Sequence, residues 1–222
     1  MIVANSLTRK YHSGDSQITV LDALSIDIQQ SEKVAILGRS GSGKSTLLNL
    51  IAGLDTPTSG SLIVNGKEPA TLNSADKAAF RLQEVGVVFQ SFQLIQQRTA
   101  YQNIELPLIL AGVPPRERRE KVRDLLKSVG LEKRSRHHPK QLSGGEQQRI
   151  AVARAMVNDP QVILADEPTG NLDTTNSRQV MDLMLTMAAA RKSTLCLITH
   201  DELLANQVAD RVIMLRDGKR VS

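Results

Sequence analysis

A glycine-rich segment near the start of the chain, residues 38–45, has the composition and spacing needed to hold phosphate. Its sequence, GRSGSGKS, fits the pattern G-x-x-x-x-G-K-[ST], and it follows an apolar run and precedes a helix-like stretch. Backbone N–H groups can turn inward at the glycines, and the following helix N-terminus adds further donors. The residues expected to contact a nucleotide are Gly38, Ser40, Gly41, Ser42, Gly43, Lys44, Ser45 and Thr46, with Lys44 also reaching the transferred phosphoryl group and Ser45 offering its hydroxyl to Mg²⁺.

Two acids, Asp166 and Glu167, close a second apolar run, residues 162–165. If that run is a buried strand, Asp166 emerges at the carboxyl edge of the sheet, where α/β folds bind ligands. A carboxylate there suits a water-bridged contact to Mg²⁺. Glu167 can polarise, or take a proton from, a water molecule that attacks the γ-phosphate. The pair therefore predicts Mg²⁺-dependent hydrolysis, with Asp166 on the metal and Glu167 as the catalytic base.

Between the loop and the acids lies the signature segment, residues 140–149, with the sequence KQLSGGEQQR. Ser143, Gly144 and Gly145 open a predicted helix, so they present N–H groups and a hydroxyl to an anion. This second anion site lies about a hundred residues beyond the first and need not serve the same phosphate within one chain. Loop, signature and acid pair together resemble the ATP-binding cassette (ABC) ATPases over nearly the whole chain.

The resemblance implies roles that side-chain chemistry alone would not assign. Gln90 resembles the Q-loop glutamine, which contacts Mg²⁺ and couples the site to a membrane partner. His200 resembles the switch histidine that contacts the γ-phosphate, and Tyr11 resembles the aromatic residue that stacks on adenine. Residues 170–173, GNLD, resemble the D-loop, which communicates between two sites.

The resemblance also implies a dimer of two copies of this chain. In the family, two cassettes pack head to tail, and the signature of each caps the ATP bound to the other's phosphate loop. The residues expected to make that contact are Ser143, Gly144, Gly145 and Glu146. Association would then depend on ATP.

The composition of the 222 residues is typical of a globular protein. The sequence has no apolar run long enough to cross a bilayer, and we expect no signal peptide. Cys196 lies in an apolar run, which favours a buried thiol. The formal charge is +5 and is concentrated in residues 116–140. We interpret that segment chiefly as a solvated helix, with Glu117 and Lys121 spaced i,i+4; a surface for anionic lipid or an acidic partner is the alternative. Aromatic residues make up 2%, so nucleic acid is not expected.

Short apolar runs alternate with helix-like stretches, which is typical of α/β proteins. Predicted strands cover residues 33–37, 61–65, 85–89, 161–165, 194–199 and 210–215; predicted helices cover 44–52, 144–157, 173–190 and most of 99–129, with a break at 112–115. Residues 2–7 and 24–29 suggest an antiparallel flank. We therefore predict one ABC ATPase domain, residues 1–222, with an α/β P-loop core (about 1–90 and 158–222), an antiparallel β flank and a helical subdomain (about 91–157).

Three stretches narrow the resemblance to the lipoprotein-release and macrolide-export group: residues 89–95, 103–108 and 165–173, although residues 96–98 depart from it. The implied partner is a separate integral membrane permease at the cytoplasmic face, docked on residues 91–105 through Phe92, Leu94, Ile95 and Tyr101. One alternative is a soluble ABC ATPase of the DNA-repair or translation type, but the second cassette or long insert that such proteins carry is not evident in this sequence. A nucleotide kinase would leave the signature segment unexplained.

Overall fold

The computed structural model describes residues 1–14 and 16–221; Asp15 and Ser222, which the predicted domain includes, lie outside the described residues. The strands are β1 (Ile2–Ser13), β2 (Ser16–Ile28), β3 (Lys33–Leu37), β4 (Ser59–Val64), β5 (Val85–Phe89), β6 (Val162–Asp166), β7 (Thr194–Thr199), β8 (Arg211–Arg216) and β9 (Lys219–Arg220). The α-helices are α1 (Lys44–Ile51), α2 (Ser74–Gln83), α3 (Ala100–Leu110), α4 (Pro115–Ser128), α5 (Gly144–Met156), α6 (Thr174–Arg191) and α7 (Glu202–Val208).

The central sheet has the strand order β5-β6-β7-β3-β8-β9 and is parallel except for β9. Its inner strands are buried on both faces, which is why they are short, continuous apolar runs. The register aligns Leu37 with Thr199 and Asp166 with Ile198, while Phe89 aligns with Asp166. The residues that follow β3, β5, β6 and β7 therefore meet at one edge of the sheet.

The expected antiparallel flank is confirmed as a three-stranded sheet with the order β2-β1-β4. Both long strands extend well beyond the predicted residues 2–7 and 24–29, and residues 59–64 form the third strand. Buried side chains of this sheet, including Leu7, Leu21 and Ile28, share one hydrophobic core with α1 and with one face of the central sheet. The flank therefore packs directly on the helix that follows the phosphate loop.

Helices α3, α4 and α5 lie within the predicted helical subdomain and share a second hydrophobic core with α6; its boundaries at 91 and 157 remain a prediction. Asn103 is fully buried in α3, and its amide bonds the backbone of Ile95, Arg98 and Thr99, which shapes the segment before that helix. Helices α2 and α7 are not among the predicted elements.

Candidate active site

The phosphate loop leads directly into α1, whose N-terminus differs from most other helix N-termini of the fold in its capping. Its N-cap, Gly43, has φ 98° and, within residues 1–14 and 16–221, no side chain caps the helix. In contrast, α2, α3, α5, α6 and α7 each have a side-chain cap that accepts from a backbone N–H group. The first-turn N–H groups of α1 are thus left for an anion, as the phosphate-loop pattern predicts.

Lys44 is almost completely buried inside the loop that precedes it. Its Nζ donates to the carbonyl oxygens of Gly38 and Arg39 at 2.7 and 2.9 Å. The loop is tight, because a Cβ at Gly38 would lie 2.4 Å from Oγ of Ser42. The ammonium group is therefore held at the centre of the loop, where phosphate oxygens would replace or join its carbonyl partners.

Glu167 and His200 complete a cavity with the phosphate loop. Nδ1 of His200 lies 3.1 Å from Oε1 of Glu167, and Glu167 has the left-handed value φ 45°. Such values are sparsely populated for non-glycine residues and concentrate at functional sites. The cavity, about 420 Å³, is lined by Val20, Ser40, Gly41, Gly43, Lys44, Ser45, Thr46, Glu167 and His200. Val20 is not among the predicted site residues, since nothing in the sequence of β2 marks it as one.

Asp166 lies at the end of β6 beside the phosphate loop. Burial raises the pKa of its carboxyl group and the neighbouring charge of Glu167 raises it further, while Lys44 and a hydrogen bond with Ser45 act in the opposite direction. The carboxylate and the hydroxyl predicted to share a metal ion are therefore in contact. A bound cation would favour the ionised form of Asp166, which burial disfavours.

Gln90 follows β5 and contacts the D-loop in this structure. Its Nε2 donates to Oδ1 of Asn171 at 3.3 Å, and Nδ2 of Asn171 donates to the carbonyl of Gln90 at 3.1 Å. It also packs over Gly170, where a Cβ would lie 2.6 Å from Nε2 of Gln90. Gln90 is not among the residues that line the described cavity. Its assigned contact with Mg²⁺ remains a prediction.

The signature residues form a capped helix N-terminus outside that cavity. Oγ of Ser143 accepts from the N–H group of Glu146, whose carboxylate accepts from the N–H group of Ser143. That second hydrogen bond, together with Arg134, lowers the pKa of Glu146. A Cβ at Gly145 would lie 2.3 Å from Oδ1 of Asn176. Within the described residues, neither this turn nor Tyr11 lines the phosphate-loop cavity.

Tyr11 lies on β1 and is held by two residues. Its hydroxyl donates to Oδ2 of Asp55 at 2.6 Å, and Arg9 pairs with the other oxygen of Asp55 at 2.7 Å. The guanidinium of Arg9 lies over the Tyr11 ring, 4.4 Å from its centroid. The structure fixes the orientation of the ring; its stacking on adenine remains a prediction.

The basic segment lies on the surface, and several of its charges are paired. Lys121 approaches Glu117 at 3.8 Å, as the i,i+4 spacing predicts, and Arg118 pairs with Glu105 at 3.0 Å. Cys196 is buried, which raises the pKa of its thiol to about 12 and fits an unreactive core residue. Among the described residues, no helix combines the length and apolar character that a membrane span requires.

A phosphate loop, an acid pair at a strand end, and a histidine in one cavity define a nucleotide-hydrolysing P-loop ATPase. The second helix N-terminus, with its LSGGE run, distinguishes cassettes among those enzymes. The chain belongs to the ABC transporter family, whose model matches residues 21–170. The fold and the ATPase class predicted from the sequence are thereby confirmed.

Curated relatives and solved structures agree with this family assignment. The chain is 44% identical to the ABC transporter ATP-binding protein YtrE of Bacillus subtilis (strain 168), covering 97% of this chain and 93% of that one. It is 42% identical to the lipoprotein-releasing system ATP-binding protein LolD of Legionella pneumophila (strain Lens), covering 98% and 96%. It is 47% identical to the macrolide export ATP-binding/permease protein MacB of Hyphomonas neptunium (strain ATCC 15444), covering 100% of this chain but 34% of that relative. The dimeric cassette MJ0796 bound to ADP and Pi superposes with a TM-score of 0.91 at 38% identity, covering 100% and 97%.

Proposed function

We propose that this chain is the ATP-hydrolysing subunit of a membrane transporter, and that two copies close head to tail around two molecules of ATP. The observation that carries the proposal is the separation of two anion sites in one chain. The phosphate loop, Glu167 and His200 line one cavity, whereas residues 143–146 do not line it in the described structure. The signature turn is then completed by the phosphate loop of a second copy. The dimeric MJ0796 cassettes, similar over the whole chain, support this arrangement.

The cavity accounts for hydrolysis of the bound nucleotide. The N-terminus of α1 and Lys44 hold the phosphates, while Glu167 accepts a proton from a water molecule. The water oxygen forms a bond to the γ-phosphorus as the bond to the β,γ-bridging oxygen breaks, giving ADP and phosphate. His200, 3.1 Å from Glu167, orients that carboxylate.

Ser45 and Asp166 would hold Mg²⁺, because they offer adjacent hard oxygen atoms and because burial disfavours an uncompensated Asp166 carboxylate. The ion would neutralise charge that develops on the phosphate oxygens. Gln90 would join the residues that hold it if its contact with Asn171 opened. Exchange between those two partners would report nucleotide binding to the neighbouring segment.

Sedimentation of the Glu167→Gln protein tests the dimer. The glutamine cannot take the proton, so ATP should persist and the protein should dimerise only when ATP is present, with turnover reduced by roughly 10²–10⁴-fold. Adding Ser143→Arg should abolish the dimer. The matched control is Thr99→Arg, which removes the same kind of capping box from α3. A dimer that forms without ATP, or that survives Ser143→Arg, would contradict the proposal.

A cleft between α2, β5, α3 and α5 is the proposed docking site for the permease. It measures about 230 Å³, and its lining includes Leu82, Val87, Phe89 and Pro107. Phe89 directly precedes Gln90, so a helix inserted here would act on the Q-loop. The relative MacB, named as an ATP-binding/permease protein, supports a permease partner.

This cleft lies outside the predicted docking surface, residues 91–105, none of which lines it in the described structure. Leu94 is 7% exposed and belongs to the core shared by α3, α4 and α5, so a charge there would disrupt packing rather than docking. Leu82→Glu is the better test, with Ile63→Glu on the exposed face of β4 as its control. Leu82→Glu should release the chain from detergent-solubilised permease while basal ATPase is retained, and Ile63→Glu should stay bound. Equal recovery of both variants would refute this docking site.

We place the subunit at the cytoplasmic side of the cell membrane, attached through the permease. The relatives named for lipoprotein release and macrolide export are 42% and 47% identical to this chain. Similar cassettes are thus named for two different transported substrates. We therefore propose export or extraction of lipoprotein, peptide or drug-like molecules, with the substrate selected by the permease. The protein that co-purifies from membranes would identify the system.

A further inference from the structure

The signature helix α5 holds its own chain's catalytic loops through a buried glutamine. Gln148 is 0% exposed and lies five residues after Ser143. Its Nε2 donates to the carbonyl of Phe89 at 3.2 Å and to the carbonyl of Pro168 at 2.5 Å. Phe89 directly precedes Gln90, and Pro168 directly follows Glu167. One amide group therefore joins the segments that carry both residues.

The oxygen of the same amide is buried and has no hydrogen-bond partner among the described residues. An unpaired buried oxygen destabilises a fold, and an apolar side chain of similar size would avoid that cost. The amide is therefore explained by its two donor bonds. We infer that Gln148 is a positioning residue, which sets Gln90 and Glu167 relative to the signature helix. This inference rests on the proposed function.

Arg154, on the same helix, holds the other end of the Q-loop. Its guanidinium donates to the carbonyls of Phe92 and Gln93 at 3.0 and 2.6 Å. Phe92 and Gln93 have φ values of 59° and 47°, which non-glycine residues rarely adopt. Gln90 therefore lies between two attachments to α5, one through Gln148 and one through Arg154. A displacement of α5 would be transmitted to the Q-loop.

This arrangement links the two ATP sites of the proposed dimer. The N-terminus of α5 serves the ATP bound to the partner, whereas Gln148 positions Gln90 and Glu167 around the chain's own ATP. Five residues of α-helix rise about 7.5 Å. Closure of the signature on one nucleotide would thus adjust the base that acts on the other, through a rigid helical segment of about 1.4 turns.

Single-turnover hydrolysis separates positioning from folding. Radiolabelled ATP is bound in the absence of Mg²⁺, the ATP-bound dimer is isolated by size exclusion, and Mg²⁺ with excess unlabelled ATP then starts hydrolysis, so that the rate constant describes only folded, assembled protein. Gln148→Met removes both donors and keeps the volume, so we expect the rate constant to fall about 10-fold to 100-fold, in line with a small misplacement of reacting groups. ATP affinity should change less than about threefold, since the phosphate loop is untouched. The control is Gln83→Met, on the exposed side of α2 and outside the site, whose rate should match wild type.

A lower melting temperature with an unchanged rate constant would show that Gln148 is merely structural and overturn the inference. If Gln148→Met does not fold, Gln148→Glu provides the test, because a protonated carboxyl group in that buried position keeps one donor. Its rate constant should be below wild type, and a wild-type value would overturn the inference. If wild-type protein itself fails to hydrolyse ATP, the proposed function fails instead.

Discussion

Replacing Arg154 by methionine should destabilise the segment that follows Gln90. The guanidinium is partly buried, which lowers its pKa, and it donates to the carbonyls of Phe92 and Gln93. Methionine preserves the aliphatic part of the side chain but removes both donors. The two left-handed residues then lose the contacts that keep them in a sparsely populated conformation.

The expected cost follows from these contacts. A hydrogen bond from a charged group contributes about 1.5–3 kcal/mol. Two such bonds are lost, but Gln93 is exposed, so its carbonyl can bind water, and removing a buried charge recovers part of the desolvation cost. We therefore expect the free energy of unfolding to fall by about 2–4 kcal/mol. For a domain of this size that corresponds to a drop in Tm of about 4–16 °C.

Urea unfolding followed by circular dichroism measures this loss, with exposed Arg123→Met on α4 as the control expected within about 0.5 kcal/mol of wild type. A second substitution, Gln93→Gly, tests whether the segment keeps its left-handed conformation. Glycine tolerates φ 47°, so it should stabilise wild type by about 1 kcal/mol. In the Arg154→Met protein the segment has already relaxed, and the gain should be less than half. If Arg154→Met unfolds like wild type, or if glycine helps both proteins equally, the attachment of this segment to α5 is wrong.

Three further predictions concern single residues of the site. Asp166→Asn should abolish Mg²⁺-dependent turnover yet raise the Tm of the nucleotide-free protein by a few degrees. Burial and the charge of Glu167 raise the pKa of Asp166, so its ionised form destabilises the fold. A lower Tm in calorimetry would refute this prediction. Burial alone would raise the pKa of Asp55, but hydrogen bonds from Tyr11 and Thr56 and the charge of Arg9 lower it. Its stabilising effect is therefore present above about pH 4 and is lost as the pH falls through the folded-state pKa, so urea titrations should show Asp55→Asn costing stability at pH 7 and progressively less below pH 4. Gly145→Ala should keep ATP binding but lose the ATP-dependent dimer in sedimentation, because its Cβ would lie 2.3 Å from Oδ1 of Asn176; an intact dimer would contradict the close packing of this turn.

The parts of the fold that sequence predicted well are those whose signals are local. Residues 33–37, 85–89 and 194–199 are strands as predicted, since strands buried on both faces are short apolar runs bounded by polar residues. The phosphate loop and the acid pair follow such strands directly, so their position at one edge of the sheet could be inferred before any coordinates. Their convergence with His200 depends on the strand order, in which β7 lies between β6 and β3; the resemblance implied the role of His200 but gave no strand order.

The parts that sequence missed depend on contacts between distant residues or lie in short helices with few buried residues. Helices α2 and α7 bury only Phe80 and Ala205 respectively, so few core residues mark them in the sequence. Leu94 lies in a segment without regular structure, where nothing indicates which side chains turn inward. Gln148 was visible in the signature segment, but its partners lie 59 and 20 residues away.

The signature turn, which we expect to cap the partner's ATP, packs against the D-loop, which we expect to communicate between the two sites. A Cβ at Gly145 would collide with Asn176 in the first turn of α6, and a Cβ at Gly144 would lie 3.4 Å from Leu172 of the D-loop. The N-terminus of α5 thus packs against the D-loop and the start of α6 within one chain. Gln90 bonds Asn171 of the same D-loop from the other side. A second copy that contacts the signature must therefore approach the D-loop as well. A shift of Asn171 caused by that contact would move Gln90, which we expect to contact Mg²⁺ and to couple the site to the permease.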